Sequence, residues 1–393
     1  MQQSPNRGSN QIAVRSYNER LILQLVRWHP GLTKSEAIRA TGLSPNAVSV
    51  IFRSLEDAAL IIRDAPIRGR IGQPSTPVRL NPDARLYAGL KIGRRSADLV
   101  LIDFVGTVRA SVSSAYPFPT PDGIQAFAKS GIRQILKSAR VPRDRVLGLG
   151  IAMPFEIWGW NAEIGVPQGT LDAWRDVKLT ELLSRTVPWS IITANDATAA
   201  CVAEMSFNMN GDTQDAIYLF VGTLIGGGVI LNGSVFLGRT GNAGGFGPFR
   251  VPGGEPGADR LIDHASLTVL DQMLRDAGHD PASLRNDPDG WTAHPAIVEA
   301  WLDLAARGIA HAIASSLSII DFETVVIDGS FPPDVRDTLV AKIRDTFSAM
   351  DRQGLSDPAI KAGHWGSIAR AVGAAALPLN ASFSIDQNTL MRS

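Results

Sequence analysis

The sequence predicts an α/β protein in two parts: a winged helix-turn-helix over residues 16–82 and a larger α/β body over residues 83–393, behind a polar tail, residues 1–15, expected to be disordered. Three observations carry this. Near the N-terminus two helical stretches meet at a short glycine turn and are followed by a hairpin with a basic tip. From residue 83 onward short apolar runs alternate with amphipathic stretches, as strands and helices do in layered α/β domains. Finally, the zero net charge hides an asymmetry: residues 1–85 carry 12 Lys/Arg against 6 Asp/Glu, a balance of +6, which leaves 26 against 32, or −6, for the rest. A basic head on an acidic body is the pattern of a head that meets a polyanion.

With 393 residues, 45% hydrophobic and 19% charged, the chain exceeds one ordinary core and has the composition of a globular protein. There is no uninterrupted apolar run of membrane-spanning length, and MQQSPNRGSN has no apolar signal core, so a cytoplasmic protein is expected. One cysteine, Cys201, rules out an internal disulfide framework and a multi-cysteine zinc site. Following Ala199-Ala200, it reads as a small buried helix residue rather than a nucleophile.

In the head, Leu21, Ile22, Leu25 and Val26 fall at helical spacing from Tyr17 to the breaker His29-Pro30-Gly31. Thr33 with Glu36 forms a capping box that starts a second helix. Thr41-Gly42-Leu43-Ser44 is a tight turn, and Ser44 caps a third helix that has Pro45 at its first position and runs to about Ala58, with Val48, Ile51, Phe52 and Leu55 inward. Leu60–Arg63 and Val78–Leu80 read as the strands of a wing. A third helix of this kind enters the major groove, so Asn46, Ala47, Ser49, Val50 and Arg53 are expected to face DNA, supported by Lys34, Ser44 and, on the wing, Arg68, Arg70 and Gln73.

In the body, Leu86–Ile92 and Ala97–Asp103 read as strands around Gly93-Arg94-Arg95-Ser96, followed by a turn at Gly106, a helix over Gly123–Ser138 and a strand over Arg145–Ile151. An aromatic segment holds Trp158, Trp160 and Val166-Pro167-Gln168-Gly169-Thr170-Leu171-Asp172-Ala173-Trp174; its tryptophans either stack on a sugar face or pack the loop. Strand Ser190–Thr193 delivers Asn195 and Asp196, which hold a ligand, cap the helix Ala197–Met205, or do both. Ile217–Val221 and Gly228–Leu231 flank Gly222-Thr223-Leu224-Ile225-Gly226-Gly227. This reads as a hairpin whose glycines supply positive φ and close backbone approach to a bound group, or as a sheet corner that needs glycine. A second glycine-rich turn spans Gly241–Pro248. Pro295–Ser318 reads as a long helix, Thr324–Gly329 as a strand and turn, and Ala369–Leu377 as a closing helix.

The order and spacing of Asn195-Asp196, Gly222-Thr223-Leu224-Ile225-Gly226-Gly227-Gly228 and Ala243-Gly244-Gly245-Phe246-Gly247-Pro248 resemble the ROK family of sugar kinases and sugar-responsive repressors, over essentially the whole chain. The resemblance implies a two-lobed actin-like ATPase fold for the body. It also implies a sugar site that includes Gln168, Asn195, Asp196, Gly244 and, one residue out of register, Asp263. The family's kinases place Asp-x-Gly-Gly-Thr where this chain has Lys91-Ile92-Gly93-Arg94-Arg95. They have Gly-Thr-Gly where Leu224 stands, a Gly-Gly adenosine turn where Asp328 stands, a glutamate at Gly245 and a zinc-binding histidine at Pro248. The family's cysteine zinc loop is missing from Gly254–His264. Phosphoryl transfer depends on positioning and charge neutralisation around phosphates, and these departures fall on that machinery. The expectation is therefore a sugar-responsive DNA-binding regulator, a repressor with no catalytic residue, cofactor or metal. Its expected partners are operator DNA and a sugar or sugar derivative; it would act as a homodimer or higher oligomer without a membrane. A kinase that still phosphorylates sugar, and a ligand-indifferent architectural DNA-binding protein, are the alternatives.

Overall fold

A computed structural model describes residues 11–66, 76–162, 165–253, 257–282, 284 and 290–385. Its head has three helices, α1 (Gln11–Trp28), α2 (Lys34–Thr41) and α3 (Pro45–Asp57). The first begins inside the segment expected to be tail: no proline or glycine stands between Gly8 and Tyr17, so nothing stops the helix from extending back to Gln11. The capping box is formed, with Glu36 N–H donating to Thr33 Oγ1 at 3.3 Å and Thr33 N–H to Glu36 Oε2 at 2.8 Å. Gly42 ends α2 in the left-handed region at φ +66, which turns the chain within three residues into the Ser44 cap of α3. Val48, Ile51, Phe52 and Leu55 are all buried. Strands β1 (Ile61–Arg63) and β2 (Val78–Leu80) pair antiparallel, Ile61 opposite Leu80. The wing residues Arg68, Arg70 and Gln73 lie outside the described residues.

The body contains two five-stranded sheets of identical order. In the first, β3 (Leu86–Ile92), β4 (Ser96–Ile102) and β5 (Val108–Ala115) are antiparallel neighbours. After α4 (Pro121–Ala139), β6 (Val146–Met153) pairs parallel to β3; after α5 (Leu179–Ser184), β7 (Ser190–Asn195) pairs parallel to β6. The order is β5-β4-β3-β6-β7. Helix α6 (Asp196–Phe207) leads into the second sheet, formed by β8 (Ala216–Val221), β9 (Ile225–Leu231) and β10 (Ser234–Phe236). Next come α7 (Leu267–Asp276), α8 (Pro295–Leu317), β11 (Thr324–Gly329), α9 (Pro333–Ala349), β12 (Ala359–Ala362) and α10 (Ala369–Phe383). Its order, β10-β9-β8-β11-β12, repeats the first. The repetition is one of topology, invisible in the residues themselves, and it gives the two lobes.

The closing helix, expected over 369–377, continues through Pro378 to Phe383. Proline removes one helical N–H, but its ring seats on Gly148, where an added Cβ would come within 2.6 Å of Pro378 Cβ. The same helix lies so close to the first sheet that a Cβ on Gly150 would stand 1.6 Å from Ala374 O, and one on Gly89 2.1 Å from Ala371 O. On its other side a Cβ on Gly373 would stand 1.6 Å from Ala199 O in α6. Helix α10 is thus wedged between β3, β6 and α6 through glycine notches.

Its far end joins the head. Ile22, Val26, Val48, Tyr87, Phe104, Val372 and Leu379 form one continuous core across α1, α3, the first sheet and α10. Arg27 donates to Phe104 O at 3.2 Å and lies over the rings of Phe104 and Phe207, and Phe104 meets Phe383 edge-on at 5.1 Å.

Gly150→Ala, which places a methyl against backbone that cannot rotate away, is expected to cost roughly 1–3 kcal/mol or more. Gly159→Ala, where nothing lies within 4 Å, should change stability by less than about 1 kcal/mol. Equilibrium denaturation of the two variants beside the parent checks this.

Candidate functional site

Between the lobes lies an open cleft whose empty space, mouth included, is about 680 Å³. It is assembled from six segments. Asn195 ends β7 and caps α6: its Oδ1 accepts from Ala197 N–H at 2.9 Å and Thr198 N–H at 3.2 Å. Asp196 is 8% exposed; Oδ1 accepts from Ala197 N–H at 3.0 Å and Oδ2 from Arg370 Nη1 at 3.4 Å. Capping and cleft-lining therefore coexist in these two residues.

The hairpin β8–β9 contributes Phe220, Leu224, Ile225, Gly226 and Gly227. The reading of its glycines needs correction. Gly226, Gly227 and Gly228 sit inside β9, not in the turn, and none has positive φ. They are small because β9 is pressed on both faces: a Cβ on Gly226 would lie 3.0 Å from Ala197 Cβ and one on Gly228 2.5 Å from Cys201 Cβ, both in α6, while one on Gly227 would lie 2.7 Å from the Phe246 ring. Cys201 is fully buried in that contact. Close approach is the reason for glycine here, as expected, but to protein.

The second glycine turn supplies Asn242, Gly244, Gly245, Gly247 and Pro248 to the cleft. Gly244 has φ +79, and a Cβ there would stand 2.6 Å from Gly228 Cα, so backbone stacking on β9 alone requires glycine. Pro154, Phe155 and Trp160 form the wall after β6, Trp160 donating its indole N–H to Phe155 O at 3.1 Å. Arg94, from the β3–β4 turn, lies over the Trp160 ring at 5.4 Å. Arg370, in the first turn of α10, completes the lining.

Two residues expected in the sugar site do not reach the cleft. Gln168 is exposed on its turn, and Asp263 is engaged by Arg260, whose Nε and Nη2 each donate to it at 2.9 Å. Conversely, Arg370 escaped the sequence reading. Its only trace there is a single cation in the Ala/Gly-rich run Ala369–Leu377, which periodicity places on a helix without saying what it faces.

The positions that depart from the kinase pattern are filled structurally. Lys91, 4% exposed, donates from Nζ to Asp98 Oδ2 at 3.0 Å, Ser96 Oγ at 2.9 Å and Ser96 O at 3.2 Å. A Cβ on Gly93 would stand 2.4 Å from that Nζ, so the ammonium occupies the space beside the loop. Burial, then the neighbouring Arg370 charge, lowers Lys91 to about 8 against the pull of Asp98. Asp328, fully buried, accepts from Gly329 N–H at 2.9 Å, Gly366 N–H at 3.1 Å and Tyr218 O–H at 3.1 Å. Burial raises its pKa. Its side chain also stands where a Cβ on Gly363 would come, 2.7 Å away, so the turn is knitted shut by its own carboxylate.

On the head, Asn46, Val50 and Arg53 recur at i, i+4 and i+7 on the exposed side of α3, with Val50 49% exposed. Ala47 and Ser49 are half-buried beside them, Ser44 is committed to Ala47 N–H at 3.2 Å, and Lys34 Nζ sits 5.8 Å over the Phe52 ring. Among the described residues there is no cluster of three His, Cys, Asp or Glu suited to a metal, and no helix long and apolar enough to cross a membrane.

Residues 87–259 match the family model described as ROK family, and residues 15–61 the model described as winged helix-turn-helix DNA-binding. The DNA-binding transcriptional dual regulator NagC of Escherichia coli is 21% identical over 80% of this chain and 81% of its own length, and the xylose repressor of Bacillus subtilis 21% over 62% of each. A solved ROK family transcriptional regulator, a homologue of the E. coli MLC protein, superposes with a TM-score of 0.67 at 20% identity, covering 94% of this chain and 96% of that one. A ROK family glucokinase from Streptomyces griseus, solved with glucose and AMPPNP, gives 0.59 at 22% identity, covering 74% of this chain and 98% of that one. The body thus has the ROK actin-like fold.

Because the folded pKa of Lys91 lies below its unfolded value, the unfolded chain binds the extra proton between about pH 8 and 10.5. Stability contributed at this site must then rise with pH through that window, by at most about 1.4 kcal/mol per pH unit. The difference in unfolding free energy between the parent and Lys91→Met, followed from pH 7 to 10, should show that slope.

Proposed function

We propose that this chain, which carries a ROK-family domain behind a winged helix-turn-helix, is a sugar-responsive transcriptional repressor whose body binds its ligand without phosphorylating it. The observation that carries this reading is the split fate of the cleft. Asn195 and Asp196 still present amide and carboxylate at its floor, whereas a lysine fills the first phosphate loop and Asp328 closes the adenosine turn. A carboxylate paired with Arg370 accepts a hydrogen bond from a sugar hydroxyl with no need to take its proton. With Lys91 where the kinases keep an acid, that position offers a cation in place of a metal ligand, and the ammonium engages the Asp98 carboxylate beside it.

The head reads DNA through α3. Asn46 and Arg53 are suited to base edges or phosphates and Val50 to a thymine methyl, with Ala47 and Ser49 close behind; Lys34 and Ser44 stand at the neighbouring helix starts, and Arg68, Arg70 and Gln73 would extend the contact along the wing. Two copies set at half-site spacing give operator selectivity.

Ligand and operator communicate through α10. The helix starts in the cleft at Arg370 and ends in the core shared with α1, at Leu379 and Phe383. Its 15 residues span about 22 Å. A ligand that favours one arrangement of this rod together with its lobe over another shifts the head only by its difference in affinity for the two; a hundredfold loss of operator binding needs about 2.7 kcal/mol.

Three measurements test the reading. Asn46→Ala and Arg53→Ala should each weaken binding to the chain's own promoter by about 1–3 kcal/mol, and equal binding of parent and variants to promoter and random duplex would remove the regulator. Incubated with ATP, Mg²⁺ and a sugar panel, the parent should form no more ADP than Asp196→Asn; sugar-dependent turnover above it would restore the kinase. Phe383→Ala, which removes the ring facing Phe104, should keep both operator and sugar binding while cutting the loss of DNA affinity on ligand addition by fivefold or more, read by fluorescence anisotropy.

A further inference from the structure

Helix α4 covers the face of the first sheet opposite α10: Leu99 and Leu101 turn toward Ile124, Ala128 and Ile132, whereas Val100 and Ile102 turn toward Val372. Its outer side therefore belongs neither to the cleft nor to the core of the head. That side carries Lys129, Arg133 and Lys137 at four-residue spacing and ends at the cap Arg140, all four exposed. Between α4 and the segment after α5 runs an open groove with about 1180 Å³ of empty space, its mouth included. Lys129, Arg133, Arg143 and Arg185 line it against a single carboxylate, Asp122, and Ala126, Ile132 and Leu136 give it an apolar lining.

This concentration of cations is at odds with its surroundings. Elsewhere in the same lobe Lys91 is paired with Asp98, Arg109 with Asp83 and Asp103, Arg175 with Asp172, and Lys178 with Glu181. Lys129, Arg133, Lys137, Arg140 and Arg185 have no carboxylate partner among the described residues, and Arg143 donates only to the carbonyl of Thr186. Like charges at i and i+4 oppose helix formation. Lys137, in the last turn of α4, suits the helix dipole, but Lys129 and Arg133 stand too far in to gain from it. A row of unmatched cations on an acidic body is complementary to an anion from outside.

We propose that this groove docks an acidic segment of a partner protein, its carboxylates on Lys129, Arg133, Arg143 and Arg185 and its apolar side chains on Ala126 and Leu136. The row from Lys129 to Arg140 runs about 16 Å, three turns of a docked helix. Duplex DNA fits less well. The foot of the wing hairpin, where Asn81 N–H donates to Leu60 O at 2.9 Å, adjoins the body through Phe104 N–H on Pro82 O at 3.1 Å, so the hairpin leads away from it. A phosphate backbone also has no use for an apolar lining.

Fluorescence anisotropy on the full chain tests this with three labelled peptides of about 16 residues, three to four turns or more when helical. One has Glu and Leu at amphipathic helical spacing, the second Lys in place of Glu, and the third Ser in place of Leu. The Glu/Leu peptide should bind about tenfold or more tightly than either of the others, and more weakly as salt is raised. Lys129→Glu/Arg133→Glu and Arg185→Glu should each weaken it by about tenfold, while Arg175→Glu/Lys178→Glu, which reverses cations already paired, should leave it unchanged. Cooperative melting and parental promoter binding show that a variant is intact; Arg185→Glu carries the test if the double reversal no longer melts cooperatively. The proposal is overturned if the Glu/Leu peptide does not bind, if the Lys or Ser peptide binds as well, or if the control reversal is equally damaging. Displacement of the peptide by inorganic tripolyphosphate at matching concentration overturns it too, as a site for any small anion. Loss of promoter binding in step with peptide binding in the α4 variant assigns the row to DNA instead, and the proposal falls.

Discussion

The contact on which the rest of this structure depends is the seating of α10 in notches without side chains. Gly89 and Gly150 let its backbone lie against β3 and β6, and Gly373 lets it meet α6, at separations where a single methyl would collide with a carbonyl oxygen. Packing of this closeness has no slack, so the helix moves with the lobe or not at all. Two consequences follow from its length and direction. Arg370 is carried into the cleft beside Asp196, and Leu379 and Phe383 are carried into the core of the head. One rigid element thus touches both the ligand site and the DNA-binding part.

The cleft is a kinase-like site with its electrostatics rearranged. An ammonium paired with Asp98 occupies the loop after β3, and the buried carboxylate of Asp328 ties the turn after β11. Each substituted group is satisfied internally, which distinguishes a rebuilt site from a damaged one. The cleft itself is lined by Asn195 and Asp196 at its floor, an aromatic wall, and the side chains of Arg94 and Arg370.

Much of the head was legible because its signals are local. A capping box, a glycine in the left-handed region and a serine cap act within three or four residues of themselves, and Thr33, Gly42 and Ser44 are where they were read. In the body, strands and helices followed periodicity for the same reason. The errors arose where the cause was not local. Gly226–Gly228 have the composition of a ligand-holding turn or of a sheet corner, and they are glycines because α6 and Phe246 press on β9. Pro378 was read as the end of a helix that continues, because Gly148 receives its ring. Asp263, one residue out of register with the family's ligand, is held by Arg260.

The sequence by itself determined the kinds of parts and their order: a basic winged helix, an α/β body resembling one family, and departures from that family's kinase motifs at particular positions. Those are properties of residue type and spacing, fixed along the chain. Only the tertiary structure decided which residues meet. Asn195 near the middle of the chain, Arg94 in an early turn and Arg370 near its end line one cleft because two sheets of equal topology close against each other around α6 and α10. No spacing rule relates residues 94, 195 and 370; the close packing of glycine against backbone brings them together.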